Sequence, residues 1–415
     1  MEFFFITGAG IISAIGNNKQ ETLSALQEQR SGIAPLRYLN TSHTEFPVGE
    51  VKLTNEEMMQ LLGIPETEVT TRTSLMGMIA VREALLEAQL IAPLQNTKIA
   101  LISGTTVGGM DKTEVYYLDF FEDNSKDAYI ATHDCGSSTE MIADYFGIFS
   151  LVETISTACS SAANAIMLGA QLIRDGRADV VVAGGCESLT KFHLNGFNSL
   201  MILDREPCKP FDAHRAGLNL GEGAAYVVLE SEECFSRRLR VKPAMTPLKP
   251  LALLSGYANT CDAFHQTASS SNGEGAYLAM TKALAAANLS PEEIDYINAH
   301  GTGTENNDLS EGIAIQRVFG EKIPPTSSTK SFTGHTTSAA GGLEAVISIL
   351  ALQHDFIPAN LNFSTPMPEL SFEPYTARHG GIDPQAPNLK HVLSNSFGFG
   401  GNGTALIFSV MNNEE

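Results

Sequence analysis

Four residues with chemically useful side chains stand in short polar turns, each between a strand-like segment and a helical pattern. Cys159 lies in "ISTACSSAANAI", His300 in "NAHGTGTENND", and Lys330 and His335 in "STKSFTGHTTSAAGG". A helix N-terminus stabilises an anion through its unpaired amides and dipole, so it favours a thiolate. A neighbouring histidine is a common means of activating a nucleophile. These residue types indicate nucleophilic catalysis by Cys159, with a lowered thiol pKa.

Each residue also has a purely structural interpretation. Free cysteine is among the most buried residue types and often serves as a small hydrophobe. A glycine-rich turn with a single histidine is by itself a weak signal. The three turns gain weight together, because loops at the ends of sheet strands are where α/β folds present reactive groups.

The elements that must position these residues follow an α/β pattern. Short β-branched runs alternate with alanine- and leucine-rich segments of helical period, which indicates buried strands between helices. Strands are predicted over residues 3–7, 99–103, 180–183, 225–229, 251–255, 296–299, 392–395 and 405–409. Helices are predicted over residues 73–89, 161–174, 275–288 and 341–354.

The two halves of the chain share one layout. The strand-like "VETIST" leads into "ACSSAANAIMLGAQLIRDG", and "PPTSSTKS" leads into "FTGHTTSAAGGLEAVISILALQHD". Both helices consist largely of small residues, which let backbones approach closely, so their N-termini are expected to meet in the interior. We therefore predict a duplicated unit, with halves at 1–245 and 246–415 and the junction inside the proline-containing segment 236–250.

Composition excludes several classes of function. A formal net charge of -21 argues against nucleic-acid binding and against an anionic membrane surface. The sequence contains no stretch long enough for membrane insertion and no positively charged n-region of a signal peptide. The six cysteines lack CxxC or other metal-ligand spacing, so we expect no metal and a reducing cytoplasm. In "GAGIIS", Ser13 replaces the third glycine of a dinucleotide fingerprint, so no cofactor is expected.

Four motifs, "TACSSA", "NAHGTGT", "TKSFTGH" and "SNSFGFGGNG", resemble in order and spacing the signature segments of the β-ketoacyl synthases of the thiolase superfamily. The resemblance extends over nearly the whole chain, through "FFITGAGIISAIG", "KPFDAHRAGLNLGEGAAYVVLE" and "DAFHQTASSSNGEG". It implies a thiolase-like, five-layered αβαβα fold with two pseudo-duplicated halves.

The resemblance also implies a two-step reaction. Cys159 would take an acyl group from the 4'-phosphopantetheine thioester of an acyl carrier protein. Malonyl carrier protein would then lose carbon dioxide, and His300 and His335 would donate hydrogen bonds to its thioester oxygen. Lys330 and Glu344 would form a buried supporting pair. The product would be a β-ketoacyl carrier protein in fatty acid or polyketide synthesis.

Further roles follow from the same resemblance. The amides of Cys159 and Phe399 would form an oxyanion hole. Phe399 with its neighbouring glycines would form a mobile gate, although a tight strand turn accounts for glycines equally well. The gate glycines and the residues implied to bind substrate are Gly398, Gly400, Gly401, Val107, Thr302, Thr304 and Phe397.

The implied partners are an acyl carrier protein and a second subunit, in a homodimer or in a heterodimer with a related ketosynthase. Arg205 and Lys209 are candidates for carrier docking, set against an ordinary role as surface charges. The chain departs from the usual family pattern in segments 401–404 and 215–218, without loss of a catalytic group. Acyl length, saturation and pathway stay open.

Two other functions remain to be weighed. A length-determining partner of a ketosynthase shares the fold but lacks the nucleophile, whereas this chain retains Cys159 and both histidines. A cysteine hydrolase or simple acyltransferase would use Cys159 and one histidine, which would leave Lys330 and the second histidine idle.

Overall fold

A computed structural model describes residues 3–92, 96–241, 248–376 and 388–411 of the chain. Its strands are β1 (Phe4–Ser13), β2 (Ile99–Gly104), β3 (Leu151–Ile155), β4 (Val180–Glu187), β5 (Gly223–Glu230), β6 (Ala252–Cys261), β7 (Tyr296–Asn298), β8 (Thr326–Ser327), β9 (His391–Gly398) and β10 (Asn402–Ser409). Its α-helices are α1 (Lys19–Gln27), α2 (Asn55–Leu62), α3 (Arg72–Glu87), α4 (Met110–Tyr116), α5 (Asp127–Ile130), α6 (Cys135–Phe146), α7 (Ser161–Arg174), α8 (Lys191–Ser199), α9 (Glu232–Val241), α10 (Glu274–Ala287), α11 (Glu305–Phe319), α12 (Lys330–Thr333) and α13 (Ala340–His354).

The strands repeat one topology twice. Their order across the sheet is β3-β2-β4-β5-β1-β6-β10-β9-β7-β8. If the strands of each half are counted from one, the first half reads 3-2-4-5-1 and the second half reads the same order reversed. The three strands farthest from the centre are parallel in both halves, and the remaining pairs are antiparallel. The expected α/β class and pseudo-duplicated halves are thereby confirmed.

Helices and sheet form five layers. The central layer is α7 and α13, which contact each other; α7 packs on β2 and β4, and α13 packs on β5 and β9. On the far side of the first half, α3 covers β1 and β5, and on the far side of the second half, α10 covers β6 and β10. Alternate strand residues therefore enter different cores, Val181 the central one and Val182 the outer one. The five-layered αβαβα architecture is confirmed.

Small residues make the central layer possible. Residues Ala340–Leu352 of α13 are all buried, as expected for a helix surrounded by protein. A Cβ atom added at Gly341 would lie 2.8 Å from the Cβ atom of Ala163 in α7. Only glycine therefore permits this approach of the two helices. The N-termini of α7 and α13 consequently meet in the interior, as predicted.

The sequence patterns identified the strands of the core but not their full extent. Most strands are longer than predicted, and the two-residue strand β8 was not predicted. The proposed boundary between residues 245 and 246 lies outside the described residues, so the division at that point stays a prediction. No helix in the described ranges is both long and apolar enough to cross a lipid bilayer.

Candidate active site

A cavity of about 410 Å³ lies where the carboxyl ends of several parallel strands meet. Cys159 follows β3, His300 follows β7, Phe399 follows β9, and His335 lies between α12 and α13. Carboxyl ends of neighbouring parallel strands share one edge of a sheet, which brings together loops distant in sequence. The predicted site residues that line the cavity are Cys159, His300, Thr302, Thr304, His335, Phe397, Gly398, Phe399, Gly400 and Gly401.

Cys159 occupies a constrained turn directly ahead of α7. It is buried, and it precedes Ser160, the N-cap residue of that helix. Ala158 has a φ of 52°, which is uncommon for a residue with a Cβ atom and fixes the approach of the chain to the helix. The Sγ atom of Cys159 lies 3.1 Å from Nε2 of His335. Thiol and imidazole are therefore in hydrogen-bond contact.

Burial dominates the electrostatics of the Cys159 thiol. Burial raises the pKa of Cys159 to about 12, and the positive charge of Lys330 opposes this shift. The carboxylates of Glu187 and Glu344 raise the pKa further, while the main-chain amide of Phe399, which hydrogen bonds the sulfur, lowers it. The expectation of a lowered thiol pKa is therefore wrong, because the effect of burial outweighs that of the Lys330 charge. The thiol needs a proton acceptor at the moment of reaction.

His300 is held in one tautomer by a buried ion pair. Nζ of Lys330 lies 3.3 Å from Nδ1 of His300 and also contacts Oε1 of Glu344, and both charged groups are buried. A lysine ammonium is only a donor, so Nδ1 accepts and Nε2 carries the hydrogen. Burial lowers the pKa of His300 well below its usual value, and the charge of Lys330 lowers it further. His300 is therefore a neutral imidazole with an N–H group available on the side away from Lys330.

His335 is held differently. Its ring is perpendicular to that of His300, with centroids 5.3 Å apart. Burial lowers the pKa of His335 well below its usual value, so this imidazole is neutral as well. Among the described residues, its Nδ1 has no hydrogen-bond partner. We expected the second ring nitrogen of each histidine to be held by a partner, and this is so for His300 alone. Because no partner fixes the tautomer of His335, its Nε2 atom can either accept or donate a hydrogen bond.

The predicted gate approaches the nucleophile through a glycine. A Cβ atom at Gly398 would lie 3.0 Å from the carbonyl oxygen of Thr157 and 3.1 Å from the amide nitrogen of Cys159. The next residue, Phe399, stacks on Phe197 with ring centroids 5.9 Å apart. Gly400 then adopts a φ of 82° and has open space where a side chain would be. The ring of Phe399 thus forms one wall of the cavity, and the backbone at the following glycine has few steric restraints.

The remaining predicted substrate residues divide into two groups. The hydroxyls of Thr302 and Thr304 hydrogen bond each other at 2.8 Å, and Phe397 lies edge-on to His300 at 5.8 Å. Val107 is buried with its amide 3.4 Å from the carboxylate of Glu187, and it is not among the residues that line the cavity.

In the part of the chain that the structure describes, no three metal-ligating side chains come together.

Two buried carboxylates near the site escaped the sequence analysis. Glu311 of α11 accepts hydrogen bonds from the amides of His300 and Gly301 at 2.9 and 2.8 Å, and burial raises its pKa to about 7. Glu187 ends the wholly buried strand β4. A carboxylate at the end of an apolar strand was an available signal for Glu187, because an acidic side chain is rarely buried without partners. Glu311 left no comparable signal in its polar helix.

Two protein-family models together match most of the chain. Residues 3–234 match the model described as "Beta-ketoacyl synthase, N-terminal domain". Residues 251–364 match the model described as "Beta-ketoacyl synthase, C-terminal domain". The "3-oxoacyl-[acyl-carrier-protein] synthase 2" of Synechocystis sp. is 33% identical over 420 residues, covering 97% of each chain. "Nodulation protein E" of Rhizobium meliloti is 33% identical over 417 residues, covering 97% of this chain and 98% of that protein.

Solved structures show the same architecture. "The ishigamide ketosynthase/chain length factor" superposes with a TM-score of 0.86 at 28% identity, covering 99% of this chain and all of the matched one. The ketosynthase structure of Xenorhabdus doucetiae, described as ApeO in complex with its chain length factor ApeC, has a TM-score of 0.80 at 30% identity. That match covers 99% of this chain and 98% of the other.

Proposed function

This chain belongs to the β-ketoacyl synthase family, and from that premise we propose that it catalyses a decarboxylating Claisen condensation at the cavity around Cys159. The reaction joins an acyl group held on the enzyme to a malonyl unit on an acyl carrier protein, in fatty acid or polyketide synthesis. The observation that carries the residue assignment is the placement of one thiol and two differently held imidazoles on a single cavity.

In the first step, Cys159 is the nucleophile and His335 is its proton acceptor. The thiol proton passes across the 3.1 Å contact to Nε2 of His335 as sulfur attacks the acyl thioester. The amides of Cys159 and Phe399 stabilise the tetrahedral oxyanion. The carrier thiolate leaves and takes the proton from His335. One thioester bond breaks and another forms, so the step consumes no co-reactant.

In the second step, His300 stabilises the enolate that forms when the malonyl thioester loses carbon dioxide. Its Nε2–H group, set by Lys330 at Nδ1, donates to the thioester oxygen. After loading, His335 can donate as well once its single hydrogen moves from Nδ1 to Nε2, because no partner among the described residues holds Nδ1. The enolate carbon attacks the acyl-enzyme carbonyl, and Cys159 leaves as a thiolate. The thiolate takes one proton from solvent through His335, which restores the starting thiol.

The partners follow from this reaction. An acyl carrier protein must present each substrate on its phosphopantetheine arm, so no further cofactor is needed. We propose that the second subunit is either another copy or a ketosynthase-like chain such as a chain length factor, the pairing described for two similar structures. All six cysteines are free, which supports a reducing cytoplasm as the location.

The decisive experiment supplies acyl and malonyl carrier proteins together. A lengthened β-ketoacyl product and carbon dioxide are expected, with the acyl intermediate mapped to Cys159 by peptide mass spectrometry. Cys159→Ala should remove both the adduct and the product. Cys186→Ala is a matched control, because Cys186 is also buried and burial also raises its pKa to about 12. Free acid without chain extension would indicate a hydrolase, and the absence of any adduct would indicate a silent partner subunit.

A further inference from the structure

A buried polar cluster beside the cavity plays no part in the steps above. Its centre is Glu187, which is fully buried at the end of β4. Glu187 accepts hydrogen bonds from the hydroxyl of Thr105 at 2.7 Å and from the amide of Thr106 at 2.9 Å, both in the loop after β2. It also accepts from the hydroxyl of Thr337 at 3.0 Å. A single carboxylate therefore joins loops from both halves of the chain.

Thr337 connects this cluster to His335. It lies two residues after His335 and has a φ of 45°, in the left-handed region that β-branched residues avoid. Such a conformation persists only where the surroundings hold it. Two backbone hydrogen bonds also hold His335 itself. Its amide donates to the carbonyl oxygen of Asn219 at 2.7 Å, and its carbonyl oxygen accepts from the amide of Gly221 at 3.0 Å. The segment that carries the imidazole is thus anchored on both sides.

The anchoring has a consequence for the ring itself. Nδ1 of His335 has no partner among the described residues, so no hydrogen bond at that nitrogen orients the imidazole. Its direction toward Cys159 depends on its packing and on the position of its backbone. Misplacement of a reacting group by about 1 Å can cost up to a hundredfold in rate.

We propose that Glu187 is a positioning residue for His335 and acts through the hydroxyl of Thr337. The role rests on the proposed function, because His335 is the proton acceptor of its first step. Several other titratable groups face Glu187. Nε2 of His193 lies 3.7 Å from Oε1, beyond hydrogen-bond distance, and the carboxylate raises the pKa of the thiols of Cys135, Cys159 and Cys186 through its charge. The hydroxyl of Thr337 is thus the direct link from this carboxylate to the segment of His335.

The test uses hydroxyl deletions, because loss of Glu187 itself would leave several donors unpaired. Thr337→Val removes the link to His335 and keeps the β-branched shape. Thr105→Val removes a donor to the same carboxylate from a loop that does not carry His335. Thr337→Ser retains the hydroxyl. The readout is the rate at which iodoacetamide alkylates Cys159 in the substrate-free protein, measured by peptide mass spectrometry, with His335→Gln as the reference for full loss.

Thr337→Val should slow alkylation on the order of tenfold, in the direction of His335→Gln, while Thr105→Val and Thr337→Ser stay within about twofold of wild type. Equal slowing by Thr337→Val and Thr105→Val, in parallel with their melting temperatures, would overturn the proposal. So would a wild-type rate in Thr337→Val or in His335→Gln. Alkylation needs no carrier substrate, so a failure of the proposed condensation would appear separately, as absent chain extension in the wild-type protein.

Discussion

Replacing Lys330 with methionine should impair decarboxylation far more than acylation. The ammonium group donates to Nδ1 of His300 over 3.3 Å and thereby places the hydrogen on Nε2. A hydrogen bond to a charged group contributes about 1.5–3 kcal/mol. Each 1.36 kcal/mol corresponds to a tenfold change in rate. Carbon dioxide release from malonyl carrier protein should therefore fall about 10- to 150-fold in Lys330→Met.

The same substitution also leaves Glu344 buried without its cation, and this second effect must be separated from the first. Both members of the pair are 2% exposed, and breaking a buried pair by removing one member costs about 3–5 kcal/mol. The double variant Lys330→Met/Glu344→Gln removes the unpaired charge and should recover most of the lost stability. It should not recover decarboxylation, because Nδ1 of His300 still lacks its donor.

Three measurements on both variants decide the matter. These are the melting temperature, the single-turnover acylation of Cys159 by mass spectrometry, and the release of labelled carbon dioxide from malonyl carrier protein. We expect stability to recover in the double variant while carbon dioxide release stays low. Recovery of carbon dioxide release together with stability would refute the argument, because Lys330 would then support the fold and not the tautomer of His300.

Other outcomes follow from the same geometry. His300→Ala should spare acylation of Cys159 and abolish carbon dioxide release. His335→Ala should slow both half-reactions, because Nε2 of His335 contacts the sulfur of Cys159 at 3.1 Å. A wild-type acylation rate in His335→Ala would contradict this expectation. Gly398→Ala should slow acylation more than tenfold, since its Cβ atom would meet the Thr157 carbonyl at 3.0 Å, and single-turnover mass spectrometry checks this. Because burial lowers the pKa of His300 well below 6.5, the unfolded chain binds protons that the folded chain does not. The contribution of His300 to stability is thus present above pH 6.5 and is lost as the pH falls below it. Urea titrations from pH 7.5 to 5.5 should show a shallower loss in His300→Gln than in wild type, and identical slopes would count against a neutral buried imidazole.

Much of the fold could be predicted because its patterns are local. Residues 161–174 were predicted as a helix and form α7 with the same bounds, since small apolar residues recur there at helical spacing. The β-branched run at 180–183 marked β4, although the strand continues to Glu187 through glycines that carry no strand preference. The two-residue strand β8 is too short to produce a periodic pattern.

The reactive residues that line the site could be predicted from the sequence, but their pKa values could not. Cys159 and His300 stood out because each lies in a polar turn after an apolar strand, and His335 stood out because its polar turn opens a helix of small residues. The pKa of Cys159 could not be predicted, because it depends on burial, which raises it to about 12, more than on the position before a helix. The links of Glu187 and Glu311 to distant loops depend on tertiary contacts and leave no local spacing to recognise.

The mirrored strand order assigns different tasks to equivalent places. The loop after the third strand of the first copy carries Cys159, and the loop after the third strand of the second copy carries Lys330. Neither copy alone holds a complete set of reactive groups, so the chemistry lies on the seam between them. Any shear of α7 against α13 would change the separation of sulfur and imidazole directly. A close-packed seam of alanine and glycine resists such sliding, and this is where the enzyme most needs to be rigid.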